Sequence, residues 1–102
     1  MTIQFSYKQV EEKDKHFLED YLEKKKERLA KLLPDNEWEN ARLEIRAEKF
    51  MKKDAFKVEI FLISPVHDFM SSEDDHTIIE AFDLALDKLI MQMRKEHQKN
   101  SK

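Results

Sequence analysis

Residues 77–97, TIIEAFDLALDKLIMQMRKEH, impose the tightest constraint on this 102-residue chain. Ile78, Phe82, Ala85, Leu86, Leu89 and Met93 recur at three- and four-residue steps, which places them on one side of a long helix. That side must be covered by another layer. Thr77 and Glu80 have capping-box spacing, in which the hydroxyl and the carboxylate each serve an orphaned backbone N–H. Glu73, Asp74, Asp75, Glu80, Asp83 and Asp87 come before the helix or in its first half. Lys88, Arg94, Lys95, Lys99 and Lys102 follow, opposed by Glu96 alone. This order suits the helix dipole, so the charge sequence by itself calls for no ligand.

A second amphipathic helix is expected over 15–33, capped by Asp14, with Phe17, Leu18, Tyr21, Leu22, Leu29, Leu32 and Leu33 as its apolar stripe. Lys25 falls within the stripe and should pack through its stem. Pro34 stops this helix, Asp35 and Asn36 form a turn, and Trp38 in the following loop caps the core. Period-two alternation predicts strands over 2–7, 41–48 and 56–63, the last apolar on both faces toward its end and therefore central. Ser64-Pro65 breaks it. A short return strand over 66–70 and a polar segment over 71–76 complete the reading.

The order strand, helix, strand, strand, strand, helix predicts an α+β two-layer sandwich, β-α-β-β-β-α, with two helices packed on one face of a four-stranded sheet. The first two strands, separated by a helix, should pair parallel through a right-handed crossover, and the other neighbours antiparallel. Arg42, Glu44, Arg46, Glu48, Lys57 and Glu59 then occupy the wet face, where opposite charges pair across strands. A single domain over 1–97 is expected, with a frayed tail at 98–102.

Composition narrows the function. The chain has no cysteine, so disulfides, thiolate catalysis and cysteine-bound zinc are excluded. It has no glycine, which removes the Gly-rich phosphate loops and the nucleophile elbow. His67, Asp68, Glu73, Asp74, Asp75 and His76 lack helical metal-ligand spacing and read as solvated turn residues. No enzyme activity, metal or cofactor is expected. No apolar run approaches the roughly 20 residues a membrane span needs, and a cytoplasmic location is expected. The net charge of −3 does not favour nucleic acid, but charge is distributed unevenly.

Four stretches resemble the ribosome hibernation-promoting factor family, also called ribosome-associated translation inhibitors or sigma-54 modulation proteins. They are MTIQFSYKQVE at the start, RLAKL at 28–32, AEKF at 47–50 and EAFDLALDKLIMQMRK at 80–95. In the last, Ala81, Asp83, Asp87, Lys88, Leu89, Gln92, Met93 and Lys95 meet the family's spacing. The resemblance covers nearly the whole chain and is to the family's short form. It implies a factor that binds the small ribosomal subunit and its ribosomal RNA through basic helix faces, occludes the decoding region and inhibits translation during stasis. Arg28 and Lys31, with Lys24 as the alternative one turn earlier, match the basic pair of the first helix; Lys88 and Lys95 match lysines of the last.

The residues themselves point the same way. Lys24, Lys25, Lys26, Arg28 and Lys31 are opposed by Glu27 alone; with Lys88, Arg94 and Lys95 they could form one cationic ridge if the helices lie side by side. Lys49, with Lys52 and Lys53 in the expected hairpin, is a third candidate contact. The competing possibility is a dimerising or partner-binding module without RNA binding, using Phe61, Ile63, Ile90 and Met91 as an apolar patch.

Overall fold

The computed structural model describes the backbone of residues 1–100 and the side chains of residues 1–96. The chain runs β1 (Thr2–Lys8), α1 (Glu12–Ala30), α2 (Asp35–Glu39), β2 (Arg42–Phe50), β3 (Ala55–Ile63), β4 (Asp68–Asp75) and α3 (Ile78–Asn100). The strands form one sheet in the order β1-β2-β3-β4, with β1 and β2 parallel and the other neighbours antiparallel. This is the expected α+β sandwich, with the short α2 added. The tail expected at 98–102, with Lys99 and Lys102, lies outside the described side chains.

Alternation decides which sheet face is covered. Ile3, Phe5 and Tyr7 register with Leu43, Ile45 and Ala47, which pair in turn with Leu62, Ile60 and Val58. Against this apolar face lie Leu18, Leu22 and Leu29 from α1 and Phe82, Leu86 and Leu89 from α3, all essentially without exposure. Burying each such side chain contributes roughly 1.5–3 kcal/mol. Lys25 does pack at the stripe's edge, its ammonium 5.2 Å from the centre of the Tyr21 ring. Trp38 is half-buried against the core, but from α2 rather than from a loop.

Boundaries differ where local chemistry competes with periodicity. The amides of Asp14 and Lys15 both donate to the Glu11 carbonyl, so α1 begins at Glu12 and Asp14 lies inside its first turn. It ends at Ala30, with Lys31 as C-cap, and Leu32 and Leu33 pack from the bend into α2. At α3 the Glu80 amide donates to Thr77 Oγ1 at 3.1 Å, the threonine half of the expected capping box. β4 extends through Asp75, five residues beyond the expected return strand. Its polar residues are poor strand formers, yet they suit an exposed edge, where charge discourages pairing with other chains. With no glycine available, positive φ falls on Gln9 (63°), between β1 and α1, and on Asp54 (47°), in the β2–β3 turn.

Ile90 is 2% exposed and belongs to the core. Met91 lies on the outer surface of α3, whereas Phe61 and Ile63 face the opposite side of the sheet. The four residues do not form one patch, and the dimerising reading loses the surface it needed.

Candidate nucleic-acid interface

Because each helix runs antiparallel to the strand before it, and β1 and β4 point the same way, α1 and α3 are parallel. Their contacts advance together: the Tyr21 hydroxyl donates to the Asp83 carboxylate, whose oxygens lie at 2.7 and 2.8 Å, and Arg28 Nη2 lies 3.6 Å from Asp87 Oδ1. Tyr21 also meets Phe82 edge-on, with ring centroids 5.9 Å apart. The basic C-terminal halves of the two helices therefore sit at the same end of the molecule.

They do not form one ridge. Lys24 and Arg28 of α1, with Lys31 at its C-cap, are exposed and recur at four- and three-residue steps, Arg28 on the edge that meets α3. On α3 the facing edge carries Asp83 and Asp87 and, two turns beyond Asp87, exposed Arg94. Lys88 and Lys95 occupy the other flank, above β4. Lys88 pairs there with Glu73, and the Gln92 amide donates to the Met70 carbonyl at 2.8 Å. Two cationic tracks result, separated by the exposed upper face of α3 with Leu84 and Met91, and by Asp83 and Asp87 in the seam between the helices. Sequence periodicity locates each residue on its own helix; it does not reveal how the helices are rotated toward each other.

Lys49 joins neither track. It is a strand residue of β2, registered with Phe56 on the helix-covered face, its Nζ 5.3 Å from the Phe56 ring centre and 3.7 Å from Asp54 Oδ1. The β2–β3 turn, with Lys52 and Lys53, lies near the N-terminal ends of α1 and α3, at the far end from Arg28 and Arg94.

Two polar clusters escape sequence reasoning. The first is the Tyr21–Asp83 bond, since each residue had a sufficient local role, one as stripe and one as dipole partner. The carboxylate acceptor, and then burial, push the Tyr21 hydroxyl up to about 12. The second is a buried knot joining α2 to the β3–β4 turn. Ser64 Oγ donates to Glu37 Oε1 at 2.6 Å and accepts the His67 amide at 2.9 Å. His67 Nδ1 lies 3.1 Å from the same carboxylate oxygen and must carry the proton, because an ionised carboxylate only accepts. Burial pushes the Glu37 carboxyl upward, but the Ser64 and His67 contacts outweigh it and hold the group below its ordinary value. His67 Nε2 faces Glu96 at 3.9 Å across a cleft of about 170 Å³ walled by Leu32, Leu33, Pro34, Phe69 and Met93. Among the described residues no three His, Asp or Glu side chains come together in a way that could hold a metal ion.

The family described as sigma 54 modulation protein / S30EA ribosomal protein matches residues 3–101. The chain belongs to that family. Its fold is similar to the N-terminal domain of Thermus thermophilus Protein Y, with a TM-score of 0.74 and 24% identity over 93% of this chain and 98% of that one. A ribosomal subunit interface protein from Coxiella burnetii is similar as well, with a TM-score of 0.72 and 20% identity over 96% of this chain and 99% of that one. No curated protein matches the chain by sequence. No described helix is long and apolar enough to cross a membrane.

Proposed function

We propose that this chain is a cytoplasmic, non-enzymatic factor that binds the small ribosomal subunit through its basic helix faces and inhibits translation during stasis. Membership of a family described as ribosomal supports the setting, and the Coxiella relative of like fold is a ribosomal subunit interface protein. The observation that carries the reading is the exposed α1 track of Lys24, Arg28 and Lys31, with Arg94 at the same end on α3. Closely spaced cations on a rigid helix can follow a phosphate backbone, and the affinity comes largely from released counterions. Lys88 and Lys95 form a second track for a separate RNA segment, and Lys49 could act only as a distant anchor. Occupation of a site that messenger or transfer RNA must use would account for inhibition without any chemical step.

Co-sedimentation with purified small subunits over a salt series tests the reading. Binding should weaken steeply as salt rises, and the triple variant Lys24→Ala/Arg28→Ala/Lys31→Ala should bind more weakly with a shallower salt dependence. Absence of wild-type binding at low salt would overturn the assignment.

A further inference from the structure

Phe17 is the residue whose place the helical pattern predicts least well. It is counted among the apolar stripe of α1, yet 58% of it is exposed, while Leu18 beside it is fully buried. Its spacing from Tyr21 and Lys24, one and two turns away, sets it on the flank that carries Arg28 and Lys31. One rigid helix face thus presents a bare aromatic ring followed by three cations.

The surroundings of the ring restrict what can approach it. Asp83 holds the Tyr21 hydroxyl one turn along the seam, and Asp20 is exposed on α1 itself. These carboxylates disfavour phosphate on the Tyr21 side of the ring, with exposed Lys13 one turn back on the other side, whereas a neutral planar ring meets no such opposition. Single-stranded nucleic acids are held by this division of labour, with cations tracking the backbone and aromatic faces stacking on bases.

Resting on the RNA reading of the preceding subsection, we infer that Phe17 is a base-stacking residue: it takes an unpaired nucleobase at the end of a strand whose phosphates lie along Lys24, Arg28 and Lys31. The contact is indifferent to base identity, because every base has a π-face. It also adds nothing to the salt dependence, because no counterion is released by stacking.

The test compares Phe17→Ala, Phe17→Leu and Phe17→Trp with wild type, using purified small subunits, a short unstructured oligoadenylate and an abasic oligomer of equal length and charge. Exposure of the ring makes all three variants compatible with the fold, which thermal unfolding verifies. Phe17→Ala and Phe17→Leu should lose about tenfold in oligoadenylate affinity at an unchanged salt slope. Phe17→Trp should retain that affinity, and all four proteins should bind the abasic oligomer alike. Equal oligoadenylate affinity for wild type and Phe17→Ala overturns the inference while leaving the cationic track intact. Loss confined to small subunits would mean that Phe17 meets a ribosomal protein instead of a base, and also overturns it. If wild type binds neither RNA nor subunits at low salt, the underlying reading fails and the inference with it.

Discussion

The seam between α1 and α3 and the knot between α2 and the β3–β4 turn are built from similar groups and do different things. In the knot, Glu37 is 8% exposed and both of its partners are largely withdrawn from water. In the seam, the side chains of Arg28 and Asp87 are 50% and 61% exposed at 3.6 Å. A carboxylate that has lost its water depends on the protein donors that replaced it, so the knot fixes geometry. An exposed pair exchanges partners at little cost, and Arg28 can leave Asp87 for a phosphate.

The largest effect should come from breaking the knot. Glu37→Ala removes the acceptor shared by Ser64 Oγ and His67 Nδ1, leaving Ser64 its bonds to the His67 backbone, and should lower stability by about 2 kcal/mol in urea unfolding. A loss no greater than that of a seam variant would erase the distinction. The pH dependence sharpens it. Glu37 binds its proton at lower pH when folded than when unfolded, so its contribution is present above the ordinary glutamate range and disappears as pH falls through the folded value. Glu37→Gln should therefore flatten the acid limb of the stability curve.

Tyr21→Phe, which keeps the ring and removes the bond to Asp83, should cost about 1 kcal/mol. Tyr21 releases its proton later when folded, near 12, than the ordinary 10.0 of an unfolded chain. The stabilisation is thus complete below 10.0 and fades as pH climbs toward 12. Ultraviolet titration of tyrosinate in wild type and Tyr21→Phe would detect the late-ionising group. Tyr7, shifted upward by burial and by its bond to Glu19, moves in the same direction and remains in the variant. Smallest is the Arg28–Asp87 pair: Asp87→Ala should change stability by about 0.5 kcal/mol or less, and Arg28→Ala should weaken subunit binding more than it weakens the fold. A larger stability loss would make Arg28 structural instead of available.

The fold was legible because its signals are periodic. The stripe of α3, the alternation of β2 and β3 and the crossover after β1 each follow from spacing, and their order left little choice of topology. β4 was legible only in part: Ser71, Glu73 and Asp75 carry no hydrophobic signal, and their strand exists because β3 supplies a ladder and α3 supplies Ala85 and Lys88 as partners. The candidate interface was legible residue by residue on α1 but not as a surface. Lys88 and Arg94 look equivalent in the sequence, and only the docking of α3 turns one toward β4 and the other toward α1. Ile90 lies outside the principal stripe for the same reason: it is 2% exposed in the core, a burial that one helix alone cannot announce.

The parallel course of α1 and α3 has an effect on encounter as well as on contact. Their acidic beginnings share one end and their cationic endings the other, so the helix layer is polarised along its length, while Lys52 and Lys53 of the β2–β3 turn offset part of the acidic end. A polyanion approaching that layer would be favoured at the helices' C-terminal end. Collisions would then be sorted by heading before any side chain touches RNA.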